Sequence, residues 1–181
     1  MILIQGLESV SIPDFKKKIQ ELNTLSLKYG IIIQVCDAAR IATWAHVFFG
    51  ALYAMLAFKQ DRAISNQLAL EILLYISGQR QIKIALETFG IRSGSCTLII
   101  LGNSEETLSR ALKECQSVIG GMPADEVLTL FDDSKWETIQ DYFQITDQEI
   151  DAIAQSNTKG AREEALVKIV LNRIALVALD K

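Results

Sequence analysis

Apolar and polar side chains alternate over residues 2–7, the period-two signature of a short half-buried strand. Ser11-Ile12-Pro13-Asp14 then reads as a capped helix start, with an early proline and an acidic residue in the first turn. Phe15, Ile19 and Leu22 continue it at helical spacing, Gly30 is the expected stop, and the β-branched run 31–35 reads as a buried strand. Residues 41–58 carry no formal charge between Arg40 and Lys59. A membrane span needs about 20 apolar residues, and this stretch is interrupted by Thr43, His46, Gly50 and several alanines, so it predicts a central core helix and no membrane association.

Leu70, Leu73 and Leu74 carry a helix over 66–76 into Ser77-Gly78-Gln79-Arg80, where the pattern predicts a break and a fresh helix start. Ile82, Ala85, Leu86 and Phe89 carry that second helix to Gly90, and 96–101 is the next strand. Ser104 caps a helix whose first turn holds Glu105 and Glu106, where a helix dipole favours acids, and which ends at Gly120-Gly121. A strand over 127–131, a short helix over 136–143, an acidic helix capped by Thr146 and a last amphipathic helix from 161 complete the chain. Helices interleaved with a few short strands predict an α/β (α+β) fold, a small mixed or antiparallel sheet packed against several helices, as one domain over 1–181.

Half of the 181 residues are apolar, so the chain buries about 70% of its extended surface without help from disulfides or metal. Cys36, Cys96 and Cys115 are far apart in sequence, which suggests small buried hydrophobes and excludes a C-x-x-C site. The start, MILIQGLE, lacks the basic and apolar regions of a secretory signal, and a cytoplasmic protein is expected. With one histidine, His46, and no glycine-rich phosphate loop, the sequence predicts no catalytic residue, no metal and no cofactor. The carboxylate pairs Asp132-Asp133 and Glu163-Glu164 fall where surface charge is expected. Net charge is −4, but residues 1–102 hold 10 Lys/Arg against 7 Asp/Glu, whereas 103–181 hold 8 against 15, so the two halves face solvent or partners with opposite sign.

One local feature is odd on physical grounds. If Ser77 caps a new helix, the free amides of Gly78, Gln79 and Arg80 point outward at its positive end, and Arg80 adds a cation where the dipole disfavours one. A phosphate, a terminal carboxylate or an internal acidic side chain would each relieve this, and Gln79 and Gln81 add amides that donate and accept hydrogen bonds.

Residues 76–91, ISGQRQIKIALETFGI, resemble the S-G-x-R-Q-I-x-x-A-x-x-x-x-G signature of the TPRKB-like family, the tRNA-binding accessory subunit of the KEOPS complex. The resemblance extends through Asp37-Ala38, the apolar helix with His46, CTLIILG at 96–102, Ile119-Gly120-Gly121 and the final helix. The apolarity of 41–58 and the long acidic region between Gly121 and Gly160 depart from the family pattern. The resemblance implies a protein that is not an enzyme. It implies binding of the single-stranded 3′ CCA end of tRNA and docking on the kinase/ATPase subunit. Through that subunit it implies indirect contact with the transferase subunit that installs threonylcarbamoyl on adenosine. Ser77, Gly78, Gln79, Arg80, Gln81 and Lys83 are the candidate RNA-binding residues, since splayed bases want planar groups and amides and phosphates want cations. Val167, Ile174 and Ala178 are candidate partner contacts, because 166–179 carries more apolar side chains than one buried stripe needs. The alternative is a protein–protein adaptor without direct RNA contact, in which the GQRQ run is structural.

Overall fold

A computed structural model describes residues 1–130 and 133–179. The alternating N-terminal run is longer than expected: β1 spans Ile2–Val10, with a bulge after Leu7 at which Ser9 takes φ 56°. Helix α1 covers Phe15–Tyr29, and its cap is Asp14, whose carboxylate accepts the Lys17 N–H at 3.0 Å. The acid expected inside the first turn is therefore the cap itself, with Pro13 just outside. Strand β2 (Ile32–Asp37), helix α2 (Trp44–Lys59), helix α3 (Leu68–Ser77) and helix α4 (Ile82–Phe89) follow. Strand β3 (Gly94–Leu101) leads to α5 (Glu105–Ile119), where Ser104 is the cap. The acidic region then folds as β4 (Met122–Pro123), α6 (Asp133–Phe143) and α7 (Asp147–Ile153), the last with a Thr146–Glu149 capping box, before α8 (Lys159–Leu176).

The sheet has the order β2-β3-β1-β4 and is antiparallel throughout. Because side chains alternate across a strand, Leu98 and Ile100 of β3 face one side, with Val35, and meet Leu22 and Leu25 of α1 and Leu108 and Ala111 of α5. Ile99 and Leu101 face the other side, with Cys36, under α2, α3 and α8. This second layer is the deeper one. It buries Val47, Ala51 and Ala54 of α2 and Ile72 to Ile76 of α3, so α2 packs one face in the core, whereas the central core helix its sequence predicts would be enclosed all round: Trp44 and Leu56 on its other face are exposed. Among the described residues no helix is long and apolar enough to cross a membrane.

The expected strand over 127–131 is not formed. Residues 125–128 make a 3₁₀ turn that buries Val127 and Leu128 together, which an alternating strand cannot do, and Phe131 lies outside the described residues. The turn is pinned to β1 by Asp125, whose carboxylate accepts from Gly6 N (3.2 Å) and Gln5 Nε2 (2.8 Å). The cysteines are free and buried, and burial raises the Cys96 thiol to about 11.

Candidate nucleic-acid and partner interface

Ser77 is the last residue of α3 and does not cap a new helix. Gly78 takes φ +64°, and the N–H groups of Gly78 and Gln79 turn back to the carbonyls of Tyr75 and Leu74, both at 3.0 Å. This is a Schellman-type ending, which needs glycine because a β-carbon disfavours the left-handed region. Two of the three amides expected to be free, those of Gly78 and Gln79, are thus spent on α3. The Ser77 hydroxyl, buried, donates to Leu74 O at 3.0 Å. The cap of α4 is Gln81, which makes no side-chain capping bond.

Arg80 lies in the short turn between the carboxyl end of α3 and Gln81, the cap of α4, and its side chain turns to a third helix. Its Nη1 donates to Val177 O at 2.6 Å, at the carboxyl end of α8, where the helix dipole attracts a cation. The internal partner left open by the sequence is a helix-end carbonyl, and no acidic side chain pairs with Arg80 among the described residues.

Ser77, Gly78, Gln79 and Arg80 line one wall of a cleft of about 320 Å³. The opposite wall brings Tyr142, Gln144 and Arg173, none of which the sequence singled out for this role. Tyr142 Oη donates to Ser77 O at 2.9 Å and accepts from Gln79 Nε2 at 3.3 Å, locking the two walls together. Gln144 ends α6 at φ 52°, a left-handed conformation that costs a residue with a β-carbon about 1 kcal/mol. Arg173 Nη2 reaches Glu149 Oε1 at 2.6 Å. The Glu149 carboxyl is held below its ordinary range by the Thr146 backbone N–H first and by Arg173 second. Gln81 and Lys83 are exposed and lie outside the cleft, and Lys83 stands 3.9 Å from Glu87. A signal for Arg173 does exist in the sequence: it is the one charged residue in 169–179.

His46 holds this region in place from behind. Its Nδ1 accepts the Ala42 N–H at 3.2 Å, so Nε2 carries the proton and donates to Ile76 O at 2.8 Å, one residue before Ser77. Complete burial, ahead of any other influence, lowers its pKa to about 4. Since the unfolded chain takes up this proton near pH 6.5, the contribution is full above 6.5 and is lost as pH falls towards 4, by about 3 kcal/mol. Urea unfolding at pH 7 and 4.5 is expected to show the native chain losing about 2–3 kcal/mol more than His46→Gln. Equal losses would assign the acid sensitivity to carboxylates instead.

Two helices offer outward apolar surface. On α2 the buried face is His46, Val47, Gly50, Ala51, Ala54 and Ala57, and the opposite face carries Trp44, Phe48, Leu52 and Leu56 with no charge among them. Trp44 and Leu56 are 48% and 41% exposed, and the Trp44 and Phe48 rings stack at 4.9 Å. Gly50 permits this orientation, because a β-carbon there would sit 2.6 Å from Ile76 Cγ1 and push α2 off α3. On α8, Ile174 is fully buried and packs in the core, so it is removed from the expected partner surface. Its spacing is that of the buried stripe, four residues after Val170 and eight after Leu166, while 160, 164, 168, 172 and 176 form the exposed one. Val167 is half-buried, and Ala178 is exposed in the turn after the helix, so those two remain available to a partner.

The described residues contain no group of three His, Cys, Asp or Glu side chains close enough to hold a metal ion. Residues 12–178 match the family model of the kinase binding protein CGI-121. Over 160 residues the chain is 31% identical to the regulatory protein Cgi121 of the archaeon Methanocaldococcus jannaschii, an alignment covering 88% of this chain and 92% of the relative. The single α+β domain with its GQRQ turn between α3 and α4 therefore belongs to the CGI-121 family of kinase binding proteins, the family that includes the TPRKB-like proteins.

Proposed function

We propose that this chain is a non-catalytic, cytoplasmic accessory subunit of the KEOPS complex. It binds the single-stranded 3′ CCA end of tRNA and docks on the kinase/ATPase subunit, supporting threonylcarbamoyl-adenosine modification by the transferase subunit. The observation that carries the RNA reading is the cleft in which Arg80 and Arg173 stand with the Gln79 and Gln144 amides and the Tyr142 phenol. Guanidinium planes and a phenol stack on or bond to unpaired bases, and the guanidinium charge meets phosphate. A cleft this small offers a short footprint, which suits a chain of net charge −4 that cannot grip a long stretch of backbone.

The test is a gel shift at moderate salt with intact tRNA and tRNA trimmed of its CCA end. Intact tRNA is expected to bind weakly with a shallow salt slope, and the trimmed form to bind at least tenfold more weakly. Arg173→Ala is expected to lose about 1–3 kcal/mol of binding with little change in melting temperature, because its protein partner Glu149 is solvated. Arg80→Ala is expected to lose a similar amount and also to melt earlier, since it gives up the Val177 carbonyl. Equal binding of trimmed and intact tRNA would leave the protein–protein adaptor as the surviving reading.

A further inference from the structure

The sheet order leaves β2 at an edge, and among the described residues the one pairing on its outer side is the bridge from Cys36 to Gly90. From Ile32 to Gln34 the outer edge is open among the described residues, while the Val35 carbonyl accepts the Gln34 Nε2 at 2.8 Å. This edge forms the floor of a groove of about 430 Å³ whose walls are helices. Phe15 and Ile19 of α1 stand on one side, and Leu70 of α3 and Leu86 of α4 on the other. Phe15 is 49% and Leu86 43% exposed, so both rims keep apolar surface in water. An open strand edge is a template for another strand, and proteins that leave one open normally guard it with a charge, a proline or a covering segment. Here the edge residues Ile32, Ile33, Gln34 and Val35 carry no charge and no proline.

Charge is confined to one end of the groove and has one sign. Arg92 lines it just beyond the Cys36–Gly90 bridge, and among the described residues its guanidinium donates to Glu87 O alone. Lys16 follows the lining residue Phe15 without itself lining the groove, and α1 and the Arg92 loop meet where Ile12 N donates to Ser93 Oγ at 2.9 Å. Neither Arg92 nor Lys16 has an ion-pair partner among the described residues. The nearby acids are committed: Asp37 accepts from Ala39 N and lies 4.0 Å from Arg40, Asp14 caps α1, and Glu87 stands against Lys83.

We propose that this edge receives an extended peptide segment of a partner protein, added as a fifth strand beside β2, with apolar side chains between the helical walls and a carboxylate pair at the Arg92–Lys16 end. Main-chain bonds to β2 supply affinity that does not depend on sequence, and the walls and cations supply selectivity. A second copy of this chain does not fit: each β2 is recessed between its own helical rims, and edge-to-edge pairing would drive Phe15 and Leu86 into their counterparts and bring the cations together. The proposal is independent of the tRNA cleft and of kinase docking.

The probes are peptides of alternating isoleucine and serine bearing an Asp-Asp pair at one end or the other, and the same peptides with Lys-Lys in its place. In fluorescence anisotropy an Asp-Asp peptide is expected to bind at least tenfold more tightly than its Lys-Lys counterpart. In amide exchange it should protect the Ile32–Val35 stretch. Arg92→Glu and Leu86→Lys, both at exposed positions, are each expected to weaken it tenfold or more, and circular dichroism checks that they fold. Equal binding of acidic and basic peptides, or none, overturns the proposal. So does concentration-dependent protection of these amides without peptide, which would mean self-association, or their protection by tRNA alone, which would mean a nucleic-acid surface.

Discussion

Replacing Glu71 by alanine is expected to cost about 3–5 kcal/mol of stability, a large fraction of the roughly 5–15 kcal/mol that holds a domain of this kind together. Glu71 is a fully buried carboxylate in the first turn of α3, with no ion-pair partner among the described residues. It accepts the Ile64 N–H at 3.0 and 3.1 Å and the Ser65 N–H at 2.8 Å, so one side chain satisfies two amides of the loop that feeds α3. Alanine would leave both amides dry and unbonded, at about 1–3 kcal/mol each, and would remove a negative charge from the positive end of the helix. Glu71→Gln keeps one acceptor oxygen and is expected to lose less than half as much. Chemical denaturation of both variants checks this, and a loss below 1 kcal/mol for the alanine variant would mean that water enters and takes over the two amides. The consequence reaches the RNA cleft, since α3 delivers Ser77 and Gly78 to its wall.

The helices were legible wherever local chemistry and packing agree. Ser104 with Glu105 and Glu106, Gly30 after α1, and the 41–58 run each carry a start, a stop or a buried face in a few adjacent residues. Asp14 in place of Ser11 is a shift of three positions between two good capping residues, which sequence alone ranks nearly equal. The strand expected at 127–131 failed because Val127 and Leu128 are buried by a turn pinned from Asp125 to β1, a contact spanning 119 residues. The largest misreading concerned Ser77. A serine before Gly-Gln-Arg-Gln can start one helix or finish another, and the choice was made by Gly78, whose left-handed φ closes α3 and turns Arg80 toward α8. Residues near one another in the chain were therefore found, whereas Tyr142, Gln144 and Arg173, which complete the cleft from 60 or more positions away, were not.

The second large effect is expected on kinase binding, for which we infer the outward face of α2 to be the main contact. A surface helix ordinarily presents charge opposite its buried stripe, yet from Trp44 to Leu56 this face is uncharged, and its first aromatic pair is stacked at 4.9 Å with an interplanar angle of 14°. Aromatics held in such a stack, Trp44 exposed and Phe48 half-buried, are of the type that supplies most of the energy at protein interfaces, about 2–4 kcal/mol for a central residue. Phe48→Glu is accordingly expected to weaken the complex with the kinase subunit at least a hundredfold in a co-purification or calorimetric titration. Trp44→Asp should do nearly as much while leaving the helix intact, because an acid in the first turn of α2 is favoured by the dipole. Val167→Glu and Ala178→Glu probe the rival surface on and after α8, and neither should change kinase binding by more than a few fold. If the α8 pair abolishes binding and the α2 pair does not, docking belongs to the C-terminal helix. If no variant of either pair loses the kinase subunit while all stay folded, the partner grips neither face and the exposed ladder on α2 needs another occupant.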